Sequence, residues 1–570
     1  MIFSKRLNTN PLTIKSFFER SIKEYADRPS IAFVNDEPIT YAELGRQVDE
    51  LSKKLFSLGL EKGDKVALFG HNMPNWVVAY FAVATKGLVI VPILPDFTRA
   101  EVENVLSHSE SKVLFVSERL YSKVEDLILP DLIATIKLED LTISAENINK
   151  IADVEPAKIQ VDEEDIAALI YTSGTTGRSK GVILSHKNVT FVAMQSFYFQ
   201  PLNEHDVFLS FLPLSHTYEN SLGMLFPIMH GSSVYYLEKP PTAAALMPAM
   251  AKVQPTIMLS VPLIMEKIYK SQILEKFAKK RFSRMIYKNF IFRKIIHWLA
   301  GKKLYKTFGG RLKFFGIGGA KLDARVERFL REAKFPYAIG YGLTETAPLL
   351  AGAAVGKTKL QSTGVALPGV QLKIHEPGEK GVGEIWARGL NVMKGYYKNP
   401  EATKEVLTED GWFRTGDLGC FDSKKRLYIK GRAKTTIIGA SGENIYPEDI
   451  ESVINNDQFI VESLVVEENG GLVAKIILNI DELEKSIDHV KSVIEERKMK
   501  FHELDERYQN WLQNYKKELN NRLNRNSQIK RIDIMDEPFE KTASQKIKRF
   551  LYTKQNSDKI SKNRNSKEKS

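Results

Sequence analysis

The sequence predicts an α/β protein: a large multi-subdomain body of βαβ layers with a β-rich subdomain, followed by a small α+β C-terminal domain. Three observations predict it. Strand and helix patterns alternate to about residue 350, short strands with frequent Gly and Pro turns fill 364–417, and a charged, Gly-containing break crosses the strand-like run 427–438. At 570 residues the chain also exceeds the ~250–300 that one hydrophobic core can hold.

Taken in order, 66–69 reads as a short apolar strand ending at Gly70, 75–86 as a buried helix and 88–93 as the next strand, a βαβ unit. The strand 166–171 runs into a Gly/Ser/Thr loop, after which Ser185 is placed to cap a helix through Asn188. The break within 427–438 is made by Lys430, Gly431, Arg432 and Lys434 and predicts a joint between domains. Beyond it, 461–480 reads as a hairpin around Asn469, Gly470 and Gly471. A long polar helix over 482–522 and a short strand at 532–535 follow.

Composition is that of an ordinary globular protein, 43% hydrophobic and 27% charged with 35 Gly and 23 Pro, which excludes disordered, collagenous and coiled-coil classes. The single cysteine, Cys420, excludes an internal disulfide and a cysteine metal cluster and fits a reducing compartment. The first ten residues lack a signal-peptide core, and the longest apolar-rich run, 76–84, is far below the ~18–20 residues of a membrane span. A cytoplasmic chain is expected.

The formal charge is +12, and 267–306 alone holds thirteen Lys and Arg against one acid, Glu275. Within it Phe277, Phe282, Ile286, Phe290, Ile291, Ile295, Ile296 and Trp298 recur at spacings that predict helix with an apolar and a basic side. Such an element suits a membrane interface or an anionic partner, and equally a packed surface helix with a solvated basic face. The tail from 553 to 570 is basic, nearly without apolar residues, and is expected to be disordered.

The chemistry concentrates in YTSGTTGRSKGV at 171–182, which follows a strand and carries two Gly and four hydroxyls between Thr172 and Arg178. Glycines let successive N–H groups turn toward one point, hydroxyls add donors, and Arg178 and Lys180 add charge, which suits a polyphosphate. A Walker A loop fails because position 179 is Ser179, and a nucleophile elbow fails because position 171 is Tyr171. Alone, such a loop is also an ordinary polar connection.

It is not alone. The loop resembles the signature of the adenylate-forming superfamily of acyl-CoA synthetases, adenylation domains and luciferases. GGAKL at 318–322, YGLTET at 341–346, GWFRTGDLG at 411–419, IKGRAKTTIIGASGENIYPEDIE at 429–451 and KTASQKIKR at 541–549 follow in that family's order. The resemblance implies that Thr172, Ser173, Gly174, Thr175, Thr176 and Gly177, with Lys180, cradle the ATP phosphates. Tyr341 and Gly342 would lie against adenine on one side and Gly318, Gly319 and Ala320 on the other. Thr344 would touch the α-phosphate, Glu345 would hold Mg2+, Asp417 would accept from both ribose hydroxyls, and Arg432 would reach the ribose or the phosphates. Lys546 matches the catalytic lysine, although Gln545 stands where the family commonly has Gly. Lys434 falls at the family's hinge, about which a mobile C-terminal domain rotates between acyl-AMP formation and thioester formation with CoA. Ser441, Gly442 and Glu443 would then line the passage for the thiol. The implied domains are a body over 1–431, a hinge at 432–436 and a mobile domain over 437–552.

Long-chain fatty acid–CoA ligases are the most similar subgroup, through FLPLSHTYEN at 211–220 and the helical insertion after 261–270. His216 is assigned to lining or shaping the acyl pocket. A fatty acid substrate, CoA, ATP and Mg2+ are therefore expected, with peripheral membrane contact through 267–306. An acyl-carrier protein is the alternative acceptor, since the basic segment would suit an acidic carrier. A non-catalytic lipid-surface binding protein would have lost phosphate, metal or lysine positions, and these are all present. No nucleic-acid motif accompanies the charge, and no nucleic-acid partner is expected.

Overall fold

A computed structural model describes residues 10–144, 158–172, 179–270, 287, 289–378, 380–439, 444–455, 457, 459–479, 506–542 and 547–553. The chain divides into two compact units. The first comprises 1–375, 385–415 and 421–428, and the second 376–384, 416–420 and 429–570.

The first unit is built on two large sheets. One has nine strands, with the run Ser233–Tyr236, Val207–Ser210, Ile257–Ser260, Phe314–Ile317, Tyr337–Gly342 parallel at its centre and antiparallel strands at its ends. The other has eight, centred on Lys65–Phe69 between Val89–Ile93 and Ser111–Val116, again parallel. Ile257–Ser260 and Val89–Ile93 are buried throughout, as strands covered on both faces must be, so they read as unbroken apolar runs. The helix Pro74–Ala84 is the expected crossover, starting on a proline that gives up no hydrogen bond there and buried on all sides from Trp76 to Ala84. Ser185 caps His186–Gln195 through a reciprocal pair with Asn188, as the sequence predicts.

The β-rich stretch adds a four-stranded sheet in the order Gln371–His375, Gly383–Arg388, Phe413–Phe421, Leu427–Arg432. The predicted strand over 427–438 is interrupted: after Arg432 the backbone forms a short 3-10 turn, Ala433–Thr435, before resuming at Ile437–Ile438.

In the second unit, Ile460–Glu468 and Gly471–Leu478 form the expected hairpin. Asn469 at φ 51 and Gly470 at φ 67 make its turn, and both sit in the left-handed region that such tight hairpins require. Ile529–Ile534 joins as a parallel third strand, and helix Glu506–Arg522 closes a core of Ile454, Val465, Ile476 and Leu519. The earlier part of the predicted polar helix and the tail from 554 lie outside the described residues.

The basic insertion differs from a packed amphipathic helix. Its described helix, Phe290–Thr307, turns His297, Gly301 and Leu304 inward, while Ile291, Ile295, Trp298 and Leu299 stand 39–55% exposed. Its inner face combines the His297–Glu332 contact with the close seat of Gly301 on Ala333 and buried Leu304, and the row of Ile291, Ile295, Trp298 and Leu299 faces solvent. The rest of 267–306, at 271–286 and 288, lies outside the described residues.

Candidate active site

The strands Ile166–Thr172 and Lys180–Ser185 pair antiparallel with Thr172 opposite Lys180. Thr172 and Lys180 are therefore cross-strand neighbours at the ends from which 173–179 departs. Ser173, Gly174, Thr175, Thr176, Gly177 and Arg178 lie outside the described residues. Below the root, the Tyr171 hydroxyl and His108 Nδ1 are 2.8 Å apart, and the His108 ring meets Tyr171 and Tyr397 edge-on. Burial pushes the Tyr171 pKa up and the His108 pKa down, so this pair is neutral near pH 7. A Cβ at Gly181 would come within 3.2 Å of the Tyr171 ring, so a larger residue there would press on that ring.

Lys180 is tied to Glu345 through a residue that sequence reasoning missed. Gly395–Tyr396 pairs with Lys180–Ser185 at the sheet edge, Tyr396 opposite Val182. This puts the Tyr396 ring under Lys180, with Nζ 4.9 Å from its centroid, and its hydroxyl donates to Glu345 Oε1 at 3.0 Å. Glu345 sits in the 3-10 turn Thr344–Thr346, whose backbone is held by Met393 N–H donating to the Glu345 carbonyl and by the Asn391 amide donating to those of Thr346 and Leu349. Glu345 Oε2 has no hydrogen bond among the described residues. The described residues contain no group of three or more His, Cys, Asp or Glu placed to hold a metal ion. One oriented carboxylate fits a hard cation that brings phosphate oxygens as its other ligands, as Mg2+ on ATP does. The Gly-Tyr-Tyr triplet before the helix start at Pro400 was the signal available for Tyr396.

The residues expected around the base share one edge. Phe314–Ile317 and Tyr337–Gly342 are parallel neighbours, so Gly318, Gly319 and Ala320 leave one strand at the end where Tyr341 and Gly342 finish the other. Carboxyl ends of parallel strands are where open α/β sheets take ligands. Gly319 needs its glycine for a φ of +87°, and Gly342 for space: a Cβ there would stand 1.7 Å from the Pro348 carbonyl oxygen.

Beside this edge an apolar cavity opens between Tyr218, Leu222, Phe226, Leu259, Gly316 and Gly340, among others. His216 is not in its lining; its Nδ1 accepts from Tyr218 N–H at 3.4 Å and starts the turn that carries Tyr218 there. Glu219, next in sequence, is 2% exposed, and burial raises its pKa to about 8. It precedes a π-helical turn, Asn220–Leu225, that supplies Leu222 to the cavity wall.

In the second unit Asp417 is 5% exposed and accepts from Arg432 Nε at 2.9 Å. Lys434 is exposed on the Ala433–Thr435 turn, which is held by Thr436 N–H donating to the Arg432 carbonyl and by the Thr435 hydroxyl donating to Glu448. Ser441, Gly442, Glu443 and Lys546 lie outside the described residues.

Comparison with known proteins gives the family and the fold. Residues 18–397 match the AMP-binding enzyme family. The chain is 30% identical to the long-chain-fatty-acid–CoA ligase heimdall of Drosophila melanogaster, over 80% of this chain and 74% of that one. It is 27% identical to a chloroplastic long-chain-fatty-acid–acyl-carrier-protein ligase of Arabidopsis thaliana, over 83% and 77%. Among solved structures, ATP-bound MatB from Rhodopseudomonas palustris superposes with a TM-score of 0.74 at 24% identity, covering 95% of this chain and 98% of its own. At that identity the likeness speaks for the fold.

Proposed function

The chain belongs to the AMP-binding enzyme family, and from that premise we propose that it activates a long-chain fatty acid with ATP and passes the acyl group to CoA. The observation that carries this reading is the linked set Lys180–Tyr396–Glu345 in the unit that also holds an almost wholly carbon-lined cavity. A polyphosphate site and a pocket for an alkyl chain are what an acid-activating enzyme must combine.

In this reading Thr172, the loop 173–177 and Lys180 hold the β- and γ-phosphates, and Thr344 holds the α-phosphate. Glu345 supplies a carboxylate to Mg2+, which when bound screens the phosphate charge. Tyr341 and Gly318–Ala320 border the adenine, and Asp417, released from Arg432, accepts from the ribose hydroxyls. The substrate carboxylate then attacks the α-phosphorus, and the bond to pyrophosphate breaks. Lys546 stabilises the charge that gathers there; a close ammonium is worth ~4 kcal/mol at an effective dielectric near 20. Rotation about Lys434 withdraws Lys546 and brings Ser441, Gly442 and Glu443 to the thiol, which attacks the acyl carbon and expels AMP. The protein works in the cytoplasm and meets the membrane that holds its substrate.

A carrier-protein thiol is the second reading, supported by the acyl-carrier-protein ligase among the relatives. Acid-dependent ATP–pyrophosphate exchange from acetate to stearate tests the first half-reaction, with Lys546→Ala as control. Exchange should peak with long acids and collapse in the variant; a flat response to every acid overturns the assignment. Labelled palmitate with CoA or holo-carrier decides the acceptor.

A further inference from the structure

We infer that the outer face of helix Phe290–Thr307 is a docking surface for a bilayer containing anionic lipid. The inference deepens the fatty-acid reading, since it names the surface across which so apolar a substrate would be taken up.

The helix has two unlike faces. On the inner one, His297 Nδ1 lies 2.7 Å from Glu332 Oε2, and Arg293 donates to the same carboxylate at 2.9 and 3.2 Å. His297 Nε2 is 2.7 Å from the Tyr287 hydroxyl, itself 2.9 Å from that of Tyr269. The ring is thus held at both nitrogens, Nδ1 beside the Glu332 carboxylate and Nε2 against the Tyr287 hydroxyl. Gly301 lies so close to Ala333 that a Cβ would come within 2.6 Å of its Cβ and carbonyl oxygen, and Leu304 is buried one turn on. These contacts fix the roll of the helix. Its outer face cannot turn inward without leaving Glu332 unpaired and driving Gly301 off its seat.

That outer face is apolar in its first turns and basic in its last. Ile291, Ile295, Trp298 and Leu299 fall at i, i+4, i+7 and i+8, all at least 39% exposed, with Phe292 at their edge. Lys302, Lys303 and Lys306 continue the same arc, and the Lys302 ammonium lies 3.7 Å from the centre of the Trp298 ring. A solvated surface helix has no use for four large apolar side chains in a row. Their order fits an interface, where isoleucine, leucine and tryptophan enter the acyl boundary while lysines reach up to lipid phosphates. An acidic carrier protein would satisfy the lysines but has no need of so continuous an apolar row, so charge and shape together favour lipid.

The test uses the full chain and vesicles of phosphatidylcholine with or without phosphatidylglycerol. Co-sedimentation should be at least ~10-fold tighter with phosphatidylglycerol and should weaken as salt rises. Vesicles should shift tryptophan emission to the blue, and Trp298→Phe should remove that shift. The double variant Ile295→Asp/Leu299→Asp should lose at least ~10-fold in binding, and Lys302→Glu/Lys303→Glu should lose the preference for anionic vesicles. Both should keep the melting temperature and the rate of pyrophosphate exchange with soluble octanoate, which separates this surface from the acid-activating site. Unchanged vesicle binding by both double variants overturns the inference. So does a carrier-protein complex that needs Ile295 and Leu299 while vesicles do not bind.

Discussion

The Tyr396 hydroxyl donates to the Glu345 carboxylate at 3.0 Å across a separation of 51 residues. The same ring supports the Lys180 ammonium, so one side chain sets the spacing between the cation proposed to hold phosphate and the carboxylate proposed to hold its counter-ion.

Tyr396→Phe keeps the ring and removes the donor. A hydrogen bond to a charged group is worth ~1.5–3 kcal/mol, so kcat/KM for ATP should fall by roughly 10- to 100-fold, with the Mg2+ requirement moved to higher concentration. Tyr396→Ala should lose more, because Lys180 also loses its aromatic support. Pyrophosphate exchange titrated with Mg2+ measures both; an unchanged Mg2+ midpoint in Tyr396→Phe removes the role given to this bond.

Asp417→Asn keeps the side-chain shape and loses the acceptor pair. If Asp417 holds the ribose, the variant should bind ATP roughly 10-fold more weakly, the loss of about one charged hydrogen bond. It should also discriminate less between ATP and 2′-deoxy-ATP. Competition binding with the two nucleotides reads the ratio, and equal discrimination by wild type and variant places the ribose elsewhere.

Lys434→Pro stiffens the Ala433–Thr435 turn by fixing φ at its centre. Acyl-AMP formation should continue and the thiol step should slow, so single-turnover quench experiments should catch accumulated acyl-AMP. Two half-reactions at wild-type rates would count against a hinge at this residue.

Glu219→Gln addresses the buried carboxyl beside the cavity. Its pKa of about 8 in the folded chain lies above the ordinary 4.5, so across that window the folded protein keeps a proton that the unfolded chain has released. Stability from this group is therefore greatest at low pH, falls as pH rises toward about 8 and is level above. Glutamine removes the dependence. The variant should melt higher than wild type at pH 8, by an amount of the order of a few kcal/mol, and the advantage should shrink toward pH 5. Thermal melts across that range check it; a pH-independent difference assigns the effect to packing alone.

Much of the architecture was legible from local pattern. The βαβ unit ending at Ile93, the Ser185–Asn188 cap and the Asn469–Gly470 turn each depend on residues a few positions apart. The helix Phe290–Thr307 was legible as a helix, but the direction of its apolar side was not. Periodicity tells which residues share a face; Glu332 and Ala333, from a later helix, decide which face the body takes.

The chain alone specified the order of its strands and helices, the glycine-and-hydroxyl loop at 171–182 and the excess of positive charge in one insertion, because backbone preference, turn chemistry and charge are properties of neighbours. Packing decided that Tyr396 joins Lys180 to Glu345, that Glu219 is shut away from water and that Ile295 and Trp298 are not. Those facts arise where strands distant in the chain are laid side by side, and burial and hydrogen-bond energies depend on what each side chain then meets.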